Sequence, residues 1–321
     1  MFLLKQIFIL NFITLALCNE IAYKDIPLSG PILNPKQEIS GLDWYGDHLV
    51  LLPENLGGFL YMIQKNKIIS TINQKSPKPI TPQQPNFITP DWSKTIDGFE
   101  GLEAIAFNDN NVYITLEVKN DDTMESYLAW GRINPKTKDV IIPEKNLLQI
   151  NTPTQIKNMT FESILVHNSN VIIFYEANGA NLFQSPWQYL ISLKDFSQSK
   201  IYQPNIEYRI TDVTRLNHEN KFWAINYHWP GDTKRLKPTT DSIVVKFGEG
   251  ETHKKSDAVE RLIEFEIRND QIKLSNRSPI QLSLDKENSR NWEGIVRLDN
   301  KGFLIATDKY PRMILGYVPF E

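Results

Sequence analysis

A four-residue phrase recurs five times in this chain, and its spacing constrains the fold more than any other feature. Each copy sets a small or acidic polar residue and a small residue between less polar neighbours, with a second acidic or amide residue one hairpin later. The copies are Ile39-Ser40-Gly41-Leu42 with Glu54, Leu102-Glu103-Ala104-Ile105 with Glu117, Phe161-Glu162-Ser163-Ile164 with Glu176, Thr211-Asp212-Val213-Thr214 with Asn226, and Trp292-Glu293-Gly294-Ile295 with Asp308. The two polar positions lie 14 residues apart in four copies and 15 in the last, where Asp299-Asn300-Lys301-Gly302 makes a longer turn. Such self-similarity marks a repeated supersecondary unit.

Within each copy the residues read as strand, turn, strand. Leu102, Ile105 and Phe107 lead to Asn108-Asp109-Asn110-Asn111, and Val112-Tyr113-Ile114-Thr115-Leu116 returns. A tight hairpin sets the start of its first strand beside the end of its second, so the two polar residues of every copy are expected at one rim.

Further strands are predicted after the hairpins: residues 58–63 and 67–70 after the first, 189–193 after the third, 261–267 and 271–274 after the fourth. Two inner and two outer strands repeated radially describe an all-β chain folded as a single β-propeller. Five blades are expected, with six as the alternative count, because the longest interval holds residues 231–256, a polar stretch without strand pattern, read as an insertion. After Trp292 only three strands remain, so the N-terminal segment 21–28 is expected to supply the fourth and close the ring. A two-sheet sandwich is the competing architecture, but it gives no reason for five matching polar positions.

With 41% hydrophobic residues and 16 phenylalanines in 321 positions, the chain can bury a large core. Residues 1–18 read as a signal peptide: Lys5 supplies the positive start and 7–17 an apolar core too short for a membrane span. The propeller domain is then 19–321, in a secreted or periplasmic protein. Cys18, the only cysteine, ends that segment, and Leu15-Ala16-Leu17-Cys18 leaves two outcomes, cleavage nearby or a lipid anchor on Cys18. A formal charge of −3 gives no reason to expect nucleic acid as a partner, and a monomer is expected.

Gly-x-Ser-x-Gly, His-Glu-x-x-His, P-loop and dinucleotide fingerprints are absent, and the five histidines show no metal-ligand spacing. What remains is a set of carboxylates. Glu103, Glu162, Asp212 and Glu293 are expected around one channel mouth, with Glu54, Glu117, Glu176 and Asp308 one strand further out. Clustered negative groups repel unless a cation or basic side chains neutralise them. An all-oxygen donor set suits a hard cation, so Glu103, Glu162, Asp212 and Glu293 are candidate ligands for Ca²⁺. The same residues could instead accept backbone hydrogen bonds and tie the blades together. Glu117 and Glu176 are candidate proton acceptors from water, and Arg209 and Lys309 candidate holders of an anionic substrate. Arg215 and Arg297, further along their strands, are expected as structural partners of the acids.

Two stretches carry a resemblance. Phe99-Glu100-Gly101-Leu102-Glu103-Ala104-Ile105-Ala106-Phe107 with Tyr113-Ile114-Thr115-Leu116-Glu117, and Asn291-Trp292-Glu293-Gly294-Ile295 leading to Gly302-Phe303-Leu304-Ile305-Ala306-Thr307-Asp308, resemble the phytase-like domain known as the esterase-like activity of phytase. Ile39-Ser40-Gly41-Leu42-Asp43 is similar to that domain's opening. The resemblance implies a secreted or envelope propeller that hydrolyses a phosphoester or ester, taking a small anionic or ester substrate. The Asp-Asp-Pro-Ala signature of alkaline propeller phytases is absent. The other reading is a non-catalytic propeller that binds a ligand or protein on the same face.

Overall fold

Alternation along the second strand of each hairpin decides how the sheets stack. In His48–Pro53, Leu49 and Leu51 join a buried cluster with Val296, Leu304 and Leu315, whereas Val50 and Leu52 join another with Leu102, Ile105 and Ile114. Successive side chains of a strand point to opposite faces, so a strand that is apolar throughout must be covered on both sides. The same division recurs in Asn170–Tyr175, Lys221–His228 and Gly302–Thr307, whose alternate residues belong to different clusters. The five clusters therefore each fill the gap between two neighbouring sheets, and the last returns to the first, which closes a ring.

The computed structural model, which describes residues 19–121, 123–286 and 289–320, is a five-bladed β-propeller. The first blade is Ile39–Tyr45, His48–Pro53 and Tyr61–Gln64, and the second is Phe99–Asn108, Asn111–Asn120 and Thr123–Ile133 with Leu147–Asn151 on its outer edge. The third runs Phe161–His167, Asn170–Tyr175, Trp187–Ser192 and Gln198–Tyr202, and the fourth Arg209–Val213, Lys221–His228, Val259–Arg268 and Gln271–Leu274. The fifth blade is Trp292–Leu298, Gly302–Thr307 and Leu315–Pro319, and Lys24–Asp25 completes it, with Lys24 opposite Tyr317 and Asp25 opposite Gly316. The N-terminal segment thus closes the ring as expected. Glu20–Ile21 also pairs with Gln281 and Leu282 at the fourth blade, so this segment bridges the last two blades.

In every copy the recurrent phrase is a β-bulge in the innermost strand. The register slips between Ile39 and Gly41, Leu102 and Ala104, Phe161 and Ser163, Ile210 and Val213, and Trp292 and Gly294. The residues left over are Ser40, Glu103, Glu162, the pair Thr211-Asp212, and Glu293. A bulge re-aims its extra side chain and bends the strand, which is what an innermost strand needs to turn a polar group toward the channel. The small residue that follows has a packing role. A Cβ on Gly41 would lie 3.3 Å from the Ala104 Cα, where neighbouring inner strands meet at backbone distance, and one on Gly294 only 2.5 Å from the Leu42 Cγ, whose side chain fills that space.

Two readings of the sequence are corrected. Residues 67–70, expected as an outer strand, lie in the helix Lys65–Ile72, where Ile68, Thr71 and Ile72 are buried three and four residues apart on one face. A helix and the loop behind it replace the fourth strand of the first blade. A sixth blade is excluded, because 231–256 forms short helices over the fourth blade: Thr233–Leu236, Ser242–Phe247 and the single turn His253–Lys255. The segment read as a signal peptide, with Cys18, lies outside the described residues. Among the described residues, no helix is long and apolar enough to cross a membrane.

Candidate functional site

The residue before each phrase stands opposite the second polar residue of the same copy. Glu54 N–H donates to the Glu38 carbonyl, Gly101 pairs with Glu117, Glu176 N–H donates to the Thr160 carbonyl, Ile210 pairs with Asn226, and Asp308 N–H donates to the Asn291 carbonyl. Both polar positions of each copy therefore reach one end of the channel.

Arg209 lies among them. Its Nη2 donates to both carboxylate oxygens of Glu162 at 3.0 Å and stands 3.7 Å from Glu293, its Nε donates to Glu176, and its Nη1 donates to Asn291 Oδ1 at 3.3 Å. The Tyr227 ring lies 5.8 Å from the guanidinium carbon. Thr160 links two acids, its hydroxyl donating to Glu117 at 2.9 Å and its N–H to Glu176 at 3.1 Å. Asn291 Nδ2 donates to Glu293 and Asp308. Lys309 donates to Glu38 at 2.6 Å, and Glu38 in turn shares a hydrogen bond with Glu54.

Of the mouth acids, Glu103 alone makes no hydrogen bond or ion pair among the described residues. Burial and the fields of Glu117, Glu54, Glu162 and Glu293 hold its carboxyl well above the ordinary range. Burial, then Glu38, pushes Glu54 up to about 8; burial, then Glu176, pushes Glu117 up to about 7. Glu162 is pushed up to about 7 by burial, against the pull of Arg209. Glu176 and Glu293 stand well above their usual values, mainly through burial. Carboxylates outnumber the cations here, and near neutral pH the excess negative charge is relieved by bound protons.

The candidate residues fall into distinct settings. Glu103, Glu117, Glu162, Glu176, Glu293 and Arg209 are brought together. Asp212 is not joined to them: its shorter side chain turns back, accepting from Val213 N–H at 2.8 Å and Ile295 N–H at 2.7 Å, and ties the fourth blade to the fifth. Glu176 is fully buried, so it contacts Arg209 and backbone rather than solvent. Arg209 spends its donors on Glu162, Glu176 and Asn291, and Lys309 donates to Glu38. Among the described residues, no three histidine, cysteine or acidic groups stand in an arrangement that holds a metal ion. Glu162 and Glu293, two of the expected Ca²⁺ ligands, face the Arg209 guanidinium.

Three further residues were not singled out by the sequence as parts of this mouth: Glu38, Thr160 and Asn291. Each occupies the position just before a phrase, which pairs across the hairpin with the second acid, so the repeat itself carried the signal. Further along the inner strands, the half-exposed Arg215 binds Asp43 through two 2.7 Å contacts and donates to the Trp44 and Phe107 carbonyls, joining three blades as the structural partner expected. Arg290 turns away from Glu293 to the buried Glu260.

The chain matches no family model and no curated protein sequence. Among solved structures it is similar to one from the GH130 family of mannoside phosphorylases, said to contain glycoside hydrolases that target β-1,2 mannosidic linkages in Candida mannan (9% identity, 94% of each chain, TM-score 0.49). It is also similar to an α-L-arabinanase from Cellvibrio cellulosa (14% identity, 86% of this chain and 90% of that one, TM-score 0.48) and to a glucose dehydrogenase (10% identity, 92% and 99%, TM-score 0.47). These likenesses concern the fold.

Proposed function

We propose that the channel mouth is a hydrolytic site for a neutral ester, with Glu103 as general acid and Glu117 as general base. The observation that carries this reading is Glu103, a carboxyl at the mouth with no partner in the chain and a raised pKa. In its protonated form, which burial and the neighbouring acids favour, it can donate to a departing oxygen. Glu117, poised at about 7 and oriented by the Thr160 hydroxyl, can take a proton from water. Two carboxyls whose surroundings divide the roles of acid and base are the requirement for such chemistry. Glu176 and Glu162 are positioning residues, since they hold Arg209. The surplus of carboxylates over free cations disfavours a phosphoester, whose charge it would repel. Bound calcium would supply charge neutralisation and polarise an acyl oxygen, with Glu103 as a carboxylate facing it; since calcium and a proton compete for Glu103, its role as general acid belongs to the calcium-free mouth.

The test is a panel of neutral esters, lactones and phosphomonoesters, assayed with and without Ca²⁺ on protein lacking residues 1–18. Neutral esters are expected to turn over with a bell-shaped pH profile near neutrality. Glu103→Gln and Glu117→Gln are each expected to lower kcat by about 10²- to 10⁴-fold with the melting transition retained. Absence of turnover throughout the panel, or preference for phosphomonoesters, overturns the proposal; the first result favours a propeller that only binds.

A further inference from the structure

The insertion over the fourth blade forms one side of a second cavity, open to solvent and distinct from the channel mouth. It measures about 560 Å³ and lies between the insertion and the strands, with Tyr208, His228, Glu249, Asp257 and Val259 among its walls. That volume falls in the range of small-molecule sites.

His228 is 2% exposed, and its Nδ1 has no hydrogen-bond partner. The tautomer follows from its neighbours. The Thr233 hydroxyl donates its proton to the Pro230 carbonyl at 2.8 Å, so at 3.1 Å it accepts from His228 Nε2–H. Nδ1 is then the bare nitrogen, an acceptor without a donor. Burial lowers the imidazole's pKa, which keeps it neutral. An unpaired buried acceptor costs free energy unless a ligand supplies a donor. Its ring is fixed by Tyr208, stacked at 4.6 Å, and Tyr208 itself holds φ at +72°. A bulky residue in that region signals a wall maintained against local strain.

The charges of the cavity are unbalanced in one direction. Its cations are matched: Arg261 pairs with Asp241 at 2.8 Å and donates to Asn226, and Lys254 pairs with Glu251 at 2.8 Å. Glu249 and Asp257 make no hydrogen bond or ion pair among the described residues, and the Tyr208 hydroxyl makes none. The part-buried Glu249 and the exposed Asp257 are free to meet a cation and the buried imidazole nitrogen lacks a donor, while Val244, Val245 and Val259 offer an apolar wall for a hydrocarbon stem. We propose that this cavity binds a small organic cation, an alkylammonium whose N–H groups meet Glu249, Asp257 and His228 Nδ1.

The experiment is isothermal titration calorimetry of the protein with 1,4-diaminobutane, with 1,4-butanediol as the neutral match. Saturable 1:1 binding of the diamine and none of the diol is expected. Glu249→Gln combined with Asp257→Asn should weaken it by about tenfold or more. His228→Phe, which keeps the stacking surface, should weaken it about threefold to tenfold. Glu103→Gln should leave it unchanged, which separates this cavity from the acidic mouth. Absence of saturable heat, equal binding of the diol, unchanged affinity in a folded Glu249/Asp257 double variant, or loss of binding in Glu103→Gln each overturns the assignment.

Discussion

Arg209 decides the chemistry of the mouth at the scale of one residue. Its side chain is 11% exposed and faces Glu162, Glu176 and Glu293, so its removal leaves buried charges without compensation. Breaking a buried pair by deleting one member costs about 3–5 kcal/mol. Arg209→Met should lose that much in denaturant unfolding at pH 7.5, and less at pH 5, where the stranded acids can take up protons. Parental stability with only a raised KM would restore Arg209 as a substrate anchor. The sequence showed where the acids converge, since the 14-residue spacing maps onto a hairpin. It did not show their partners, because Arg209 meets Glu176 and Glu162 across 33 and 47 residues of chain, distances that only ring closure makes short. Asp212 shows the same limit: its place in the repeat matches Glu103, but one methylene fewer lets it reach backbone N–H groups.

Elements were legible where one pattern served one purpose. The phrase was readable because a bulge at a polar residue recurs in all five copies, followed by a small residue in all but the fourth, where Val213 stands. Residues 67–70 were misread because Ile68 and Ile69 favour a strand locally, and the deciding fact, a buried face at Ile68, Thr71 and Ile72, depends on packing against the first blade. The closing strand was readable from bookkeeping of strands alone. It is short, only Lys24–Asp25, so its hold on the ring comes from what flanks it. Ile26 N–H donates to the Leu315 carbonyl at 2.8 Å, its side chain is 1% exposed, and the Tyr23 ring meets Trp292 edge-on at 5.2 Å. Ile26→Ala should therefore lower unfolding free energy by about 2–5 kcal/mol, whereas Asp25→Ala, which removes an exposed pair with Arg312, should cost about 1 kcal/mol or less. Equal, small effects in equilibrium unfolding would show that the ring does not rely on this closure.

For the molecule as a whole, the mouth makes stability depend on pH in an unusual direction. Glu54 at about 8 and Glu117 and Glu162 at about 7 stand above the roughly 4.3 of a glutamate in the unfolded chain. Raised acid pKa values mean that the folded state binds more protons than the unfolded state between these limits. The slope of unfolding free energy with pH is then negative across that interval. This contribution is full below about pH 4 and is lost as pH rises through 7 and 8. Because the acids interact, their titrations merge into a broad transition rather than separate steps. Calcium-free protein should accordingly melt lower at pH 8.5 than at pH 6, and Glu103→Gln, which removes one of the mutually repelling groups, should raise the pH 8.5 value and flatten the profile. If the mouth takes Ca²⁺, millimolar calcium should recover the loss at pH 8.5 in the parent chain, since a cation that binds only the folded state stabilises it by mass action. Recovery should be weaker in Glu103→Gln and nearly absent at pH 6, where protons already neutralise the acids. A melting temperature that is flat or rises from pH 6 to 8.5 would show that the excess charge is balanced in some other way, and the acid–base pairing of Glu103 with Glu117 would lose its physical basis.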